Sequence, residues 1–91
     1  MRAERDVEIV NRLGLHARAA ARFVDEASRF ESRIELRREG EAADGKSILG
    51  LLTLAAARGS RLRLVAEGPD AEAAVAVLAE LIASGFGEAA P

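Results

Sequence analysis

Cysteine, tryptophan and tyrosine are absent from the 91-residue sequence, and histidine occurs once. Without cysteine there is no disulfide framework and no thiolate metal site. A single histidine leaves too few nitrogen ligands for zinc. The three aromatic residues are all phenylalanine, too few for the stacking platforms that hold single-stranded nucleic acid. Nor is there a surplus of one charge: 13 basic residues stand against 15 acidic ones, for a net charge of −2. A binder of phosphate backbones needs a basic excess, so nucleic acid is not an expected partner. No apolar run reaches the length of a membrane span, and the charged start Met1–Asp6 lacks a signal-peptide pattern. No Walker-type glycine loop is present, which argues against a nucleotide substrate. What remains is an apolar fraction of 49%, enough for one core. The expectation is a soluble, cytoplasmic, single domain over residues 1–91 that needs no metal or cofactor.

Periodicity supplies the elements. Asp6–Val10 alternates charged and apolar residues, the pattern of a strand buried on one face. Asn11–Gly14 reads as a loop. Ala20, Phe23, Val24 and Ala27 then fall at i, i+3, i+4 and i+7 on a first helix starting at Ala17 and fraying by Ser28–Phe30. Arg33–Arg37 alternates again with Ile34 and Leu36 inward. Glu39-Gly40 turns into a short strand over Glu41–Ala43, ended by Asp44-Gly45. Ser47 is an N-cap for a second helix beginning at Ile48 and closed by Gly59-Ser60. Arg61–Glu67 is a strand with Leu62, Leu64 and Ala66 inward. Pro69 stops it, Asp70 caps a last helix, and Gly85 ends that helix in a left-handed conformation. Val75, Leu78, Leu81 and Ile82 mark its buried side. The order β-α-β-β-α-β-α at this length implies an α+β two-layer domain, one sheet with helices on one face.

The chemistry gathers at His16. It sits where loop becomes helix and lies off the apolar stripe. A helix start presents unpartnered N–H groups and partial positive charge, so an anion there meets donors already aimed at it. Imidazole is nucleophilic near neutral pH and accepts a phosphoryl group. Arg18 is placed to add a charge-assisted bond to the phosphoryl oxygens, and Gly14 lets the loop turn tightly. A solitary histidine at a helix end is more often a loop residue or partial cap, and its neighbours decide against that here. Asp25-Glu26, the nearest carboxylate pair, occupies adjacent positions on the polar side of a helix and does not form a dyad. Arg33, Glu35, Arg37, Arg61 and Arg63 form the solvated side of the sheet.

Gly14-Leu15-His16-Ala17-Arg18 resembles the active-site signature of HPr, the histidine-containing phosphocarrier family of the bacterial phosphoenolpyruvate phosphotransferase system. The resemblance spans nearly the whole chain, including the element order and Gly45-Lys46-Ser47-Ile48. It implies an open-faced sandwich, a four-stranded antiparallel sheet covered on one face by three helices. It further implies that His16 takes phosphate on Nδ1 from phosphorylated enzyme I and passes it to an enzyme IIA domain. Arg18 and the backbone of Ala17 and Arg18 would support the phosphoryl group. The chain would then be a phosphoryl carrier and not an autonomous enzyme, working as a monomer. One departure is plain: the family usually has proline after the arginine, and here Ala19 follows. Proline pre-organises a first helical turn, whereas Ala19 restores a backbone N–H that proline lacks.

Ser47 has a sufficient structural role as a cap, worth on the order of 1 kcal/mol. Its segment also resembles the one phosphorylated in HPr proteins by HPr kinase/phosphorylase, which makes Ser47 a regulatory candidate. The helix behind it carries more apolar residues than one face can bury. By family analogy Leu51, Leu54 and Ala55 fill the core, leaving Ile48, Leu49 and Leu52 exposed as a partner surface for enzyme I and enzyme IIA. The plainer alternative is that all of them are core. Ser84-Gly85-Phe86 resembles the nitrogen-related branch of the family, and Gly45-Lys46-Ser47 the kinase-regulated one, so the two cues point apart. The competing function is a small-molecule-sensing regulatory domain on a two-layer scaffold, since fold alone permits it. That reading predicts a ligand-dependent thermal shift and indifference to loss of His16.

Overall fold

The computed structural model describes residues 1–88; residues 89–91, the last of the expected domain, lie outside them. Four strands, β1 (Arg2–Glu8), β2 (Arg33–Arg38), β3 (Glu41–Asp44) and β4 (Arg61–Glu67), alternate with three helices. These are α1 (Ala17–Ala27), α2 (Ile48–Leu54) and α3 (Ala71–Ala83), and a short 3-10 turn (Gly85–Gly87) follows. The sheet runs β1-β4-β2-β3 with every pair antiparallel. Element order, sheet and helical layer are those expected.

Register explains the two faces. Leu36 pairs with Leu64 and Val7 with Leu62 on the side covered by the helices. Phe23, Leu36, Leu51, Leu64 and Leu78 are fully buried between the layers, each contributing about 1.5–3 kcal/mol relative to exposure. α3 packs on β1 and β4, α2 on β3, and α1 against both other helices. On the opposite face Val65 is also buried, flanked in register by Glu4 and Glu35. Arg63 bridges Glu4 and Asp6 there, and Arg37 pairs with Glu35. These are exposed or half-buried ion pairs of small individual worth.

Several local expectations need correction. β1 begins at Arg2 and ends at Glu8, earlier than the alternating segment suggested, because its charged start pairs with β4 up to Glu67. α2 stops at Leu54, well before Gly59-Ser60: Ala55 takes the left-handed conformation (φ 52°) and caps it. A non-glycine residue there costs about 1–2 kcal/mol. Ala55 is consequently exposed, and Ala56 occupies the core position assigned to it. Asp70 is the N-cap residue of α3, but its side chain makes no capping bond to it. Its carboxylate instead accepts from the Glu31 and Ser32 N–H groups at 2.9 and 3.0 Å and from the Ser32 hydroxyl at 2.5 Å.

That clamp ties the loop after α1 to the start of α3. The Ser32 hydroxyl, then the Glu31 N–H, hold the Asp70 carboxyl below its ordinary value of 3.8. A depressed carboxylate contributes stability that is present above the unfolded value and lost as pH falls through the folded one. Asp70→Asn is therefore expected to unfold at lower urea than the wild type at about pH 6, with the gap closing below about pH 4. A gap unchanged down to about pH 2 would remove the carboxylate from the account.

Candidate functional site

The loop between β1 and α1 is built around Gly14, whose φ of +68° is open to glycine at little cost. Its carbonyl accepts from the Asn11 side chain at 2.7 Å, and the next residue, Leu15, donates to Ala56 O at 2.9 Å. The loop is thus tied to the segment that follows α2. His16 emerges from it as the N-cap of α1 with extended backbone, and its carbonyl accepts from Ala20 at 2.8 Å. Its Nδ1 accepts from the Arg18 backbone N–H at 3.3 Å. The other ring nitrogen, Nε2, contacts the Glu88 carboxylate. A carboxylate only accepts, so Nε2 carries the proton and Nδ1 presents its lone pair at the helix start.

Glu88 was not singled out by its sequence surroundings, and neither was Asn11. Gly85, Phe86 and Gly87 all have positive φ, at 70°, 59° and 72°. They curl the chain after α3 back over α1. Phe86 is buried against the core (2% exposed), which offsets the strain of its left-handed backbone. Gly87 lies under the Arg22 guanidinium, where a Cβ would come within 3.3 Å. Glu88 then reaches both His16 and Asn11, whose Nδ2 donates to Oε1 at 3.1 Å. The bond to His16 holds the Glu88 carboxyl below the usual carboxylate range; partial burial opposes this and the Asn11 bond adds to it. Two glycines bracketing a phenylalanine after a helix were a signal for this return, though not for its destination.

Arg18 is exposed at the start of α1 and lines a shallow cavity with Arg22, Phe86 and Glu88. Ala17 is exposed beside it, and Ala19 is fully buried. Ser47 caps α2 as expected, its hydroxyl accepting from Gly50 at 3.0 Å. Ile48 and Leu49 are exposed, at 42% and 75%. Leu52 corrects the expected trio: it is half-buried and packs against the core. Leu13, at 67% exposed, adds an apolar side chain to the loop before His16. Among the described residues no cluster of three or more His, Asp and Glu would hold a metal ion, and no helix is long and apolar enough to cross a membrane.

Comparison with known proteins settles which family this site belongs to. The family described as PTS HPr component phosphorylation site matches residues 3–84. The chain belongs to the HPr family. It is similar to the phosphocarrier protein HPr of Cupriavidus necator, with 46% identity over 85 residues, 93% of this chain and 96% of that one. The structure of HPr-C-His from Thermoanaerobacter tengcongensis superposes with a TM-score of 0.91 at 44% identity, covering 96% of this chain and 98% of the other. A multiphosphoryl transfer protein of Haemophilus influenzae is 45% identical over 83 residues, 88% of this chain and 17% of that protein. This chain is accordingly an HPr-type phosphocarrier component of the phosphotransferase system.

Proposed function

We propose that His16 is the phosphoryl-carrying residue, accepting phosphate on Nδ1 from phosphorylated enzyme I and passing it to an enzyme IIA domain. The observation that carries this reading is the ring's placement as the N-cap of α1, with Nδ1 turned to the Arg18 N–H. The Nδ1 lone pair attacks phosphorus, the new N–P bond forms, and the donor's bond to phosphorus breaks with its electron pair returning to the donor. The Arg18 N–H then turns from nitrogen to a phosphoryl oxygen, joined by the Ala17 N–H and the Arg18 guanidinium, while the helix dipole favours the phosphoryl anion itself. The same contacts are available to the entering and departing phosphate, as a reversible carrier requires. Such a carrier has no turnover of its own and works as a cytoplasmic, monomeric single domain.

Exposed Leu13, Ile48 and Leu49 are the apolar part of the surface offered to both partners. Modest, transient contacts suit a surface that two proteins share in turn. Ser47 is the regulatory site, a substrate for HPr kinase/phosphorylase. Phosphate there adds roughly two negative charges at the start of α2, and Ser47→Ala is expected to take up none from ATP in the presence of that kinase.

Incubation with enzyme I and phosphoenolpyruvate is expected to add one phosphoryl group by intact mass, labile in acid and stable in alkali. No added mass with enzyme I of the same organism would overturn the carrier reading. A small ligand that raises Tm equally in wild type and His16→Ala would favour the sensing domain instead. Ala19 leaves transfer intact because its N–H adds a donor to the helix start. Ala19→Pro removes that donor, so its phosphohistidine is expected to hydrolyse at a different rate; equal lifetimes and equal transfer rates would remove the donor from the account.

A further inference from the structure

Glu88 stands outside the signature residues, 72 positions from His16 in sequence. The turn Gly85–Gly87 nevertheless delivers its carboxylate to Nε2, the ring nitrogen that does not face Arg18. Asn11 fixes the second carboxylate oxygen and is itself anchored on Gly14 O. The two side chains are only 25% and 21% exposed, so water competes weakly for the bond. The other charged groups near the carboxylate are Arg18 and Arg22, which line one cavity with Glu88, Arg22 lying over Gly87.

We propose that Glu88 is a positioning residue for phosphoryl transfer, holding the ring proton on Nε2 so that Nδ1 stays free, and facing the cationic ring that forms. The proposal rests on His16 being the phosphoryl acceptor. When Nδ1 bonds to phosphorus the ring keeps its Nε2 proton and becomes an imidazolium, whose charge the carboxylate meets directly. When phosphate leaves, the electron pair of the N–P bond returns to Nδ1 and the ring is again the neutral Nε2–H form. No proton has to enter or leave the site in either direction. A carboxylate that fixes the tautomer and orientation of a working imidazole acts in the same manner elsewhere.

Two measurements test it with the full chain. In NMR of the unphosphorylated protein labelled with 15N histidine, the wild type is expected to show a slowly exchanging Nε2–H proton, lost in Glu88→Ala. In transfer from enzyme I and phosphoenolpyruvate, Glu88→Gln keeps the shape of the side chain and removes its charge. Its kcat is expected to fall about tenfold with KM for this protein as substrate unchanged. Wild-type kcat in both variants would overturn the proposal, and so would a loss confined to KM, which would make Glu88 a partner contact. If the wild type itself takes no phosphate, the carrier reading fails and the transfer role of Glu88 falls with it; the Nε2–H resonance then decides separately whether Glu88 holds the ring tautomer, and its absence from wild type would overturn that as well.

Discussion

His16→Ala is expected to take up no phosphoryl group while remaining folded. The ring is a cap on α1 and not a core residue: it gives up one bond to the Arg18 N–H and one to Glu88. Loss of a cap costs about 1–2 kcal/mol, against a stability of about 5–14 kcal/mol for a chain of this length. A wild-type circular dichroism spectrum, with a urea midpoint lowered by about 0.5–1 M, would therefore accompany complete loss of phosphate uptake. Arg18→Ala should fall between, slowing transfer by about 10- to 100-fold, because the Arg18 backbone N–H stays in place when its guanidinium is gone. Phosphate on His16→Ala at the wild-type level would place the acceptor elsewhere.

Gly14→Ala is expected to cost about 2–4 kcal/mol and to slow transfer as well. A Cβ at Gly14 would lie 2.6 Å from the Ala56 carbonyl oxygen and 3.0 Å from Ala57 Cα, both backbone atoms, in a φ of +68°. Nothing flexible is there to move aside. The loop would have to lift from Ala56, breaking the Leu15 bond and shifting His16 relative to Arg18. Gly59→Ala is the control: its φ is +89°, and nothing lies within 4 Å of its added Cβ. It carries the backbone cost alone, about 1–2 kcal/mol. Equal losses in urea unfolding for the two variants would show that the contact with Ala56 does not matter.

Most of the fold was legible because period and punctuation agree. Alternation at Arg33–Arg37 and Arg61–Glu67, the stripe through Phe23 and Ala27, and Gly85 as a left-handed stop all correspond to observed elements. The end of α2 was not legible, since an alanine in a left-handed cap leaves no mark in sequence while Gly59 is an obvious stop. Asp70 has the residue type and position of a cap, but its carboxylate found stronger partners across the fold in Ser32 and Glu31. Leu52 shows the limit of counting apolar residues on a seven-residue helix: which face is buried depends on where α1 and β3 pack.

The candidate site divides in the same way. His16, Ala17 and Arg18 are contiguous, so their shared place at a helix start could be read directly. Asn11 and Glu88 reach His16 only through tertiary structure, by a loop pinned on Gly14 and a tail bent by three successive positive-φ residues. No periodicity carries that information. The family resemblance supplied a nucleophile and its arginine; the packing of Phe86 supplied the carboxylate behind the ring.

The most direct test of the account is to locate the phosphoryl group on the ring. Protein labelled with 15N histidine, phosphorylated through enzyme I and examined by 15N and 31P NMR, is expected to carry phosphorus on Nδ1 of His16 with the proton on Nε2. Phosphorus on Nε2, the nitrogen that faces Glu88, would contradict the geometry from which the function was derived.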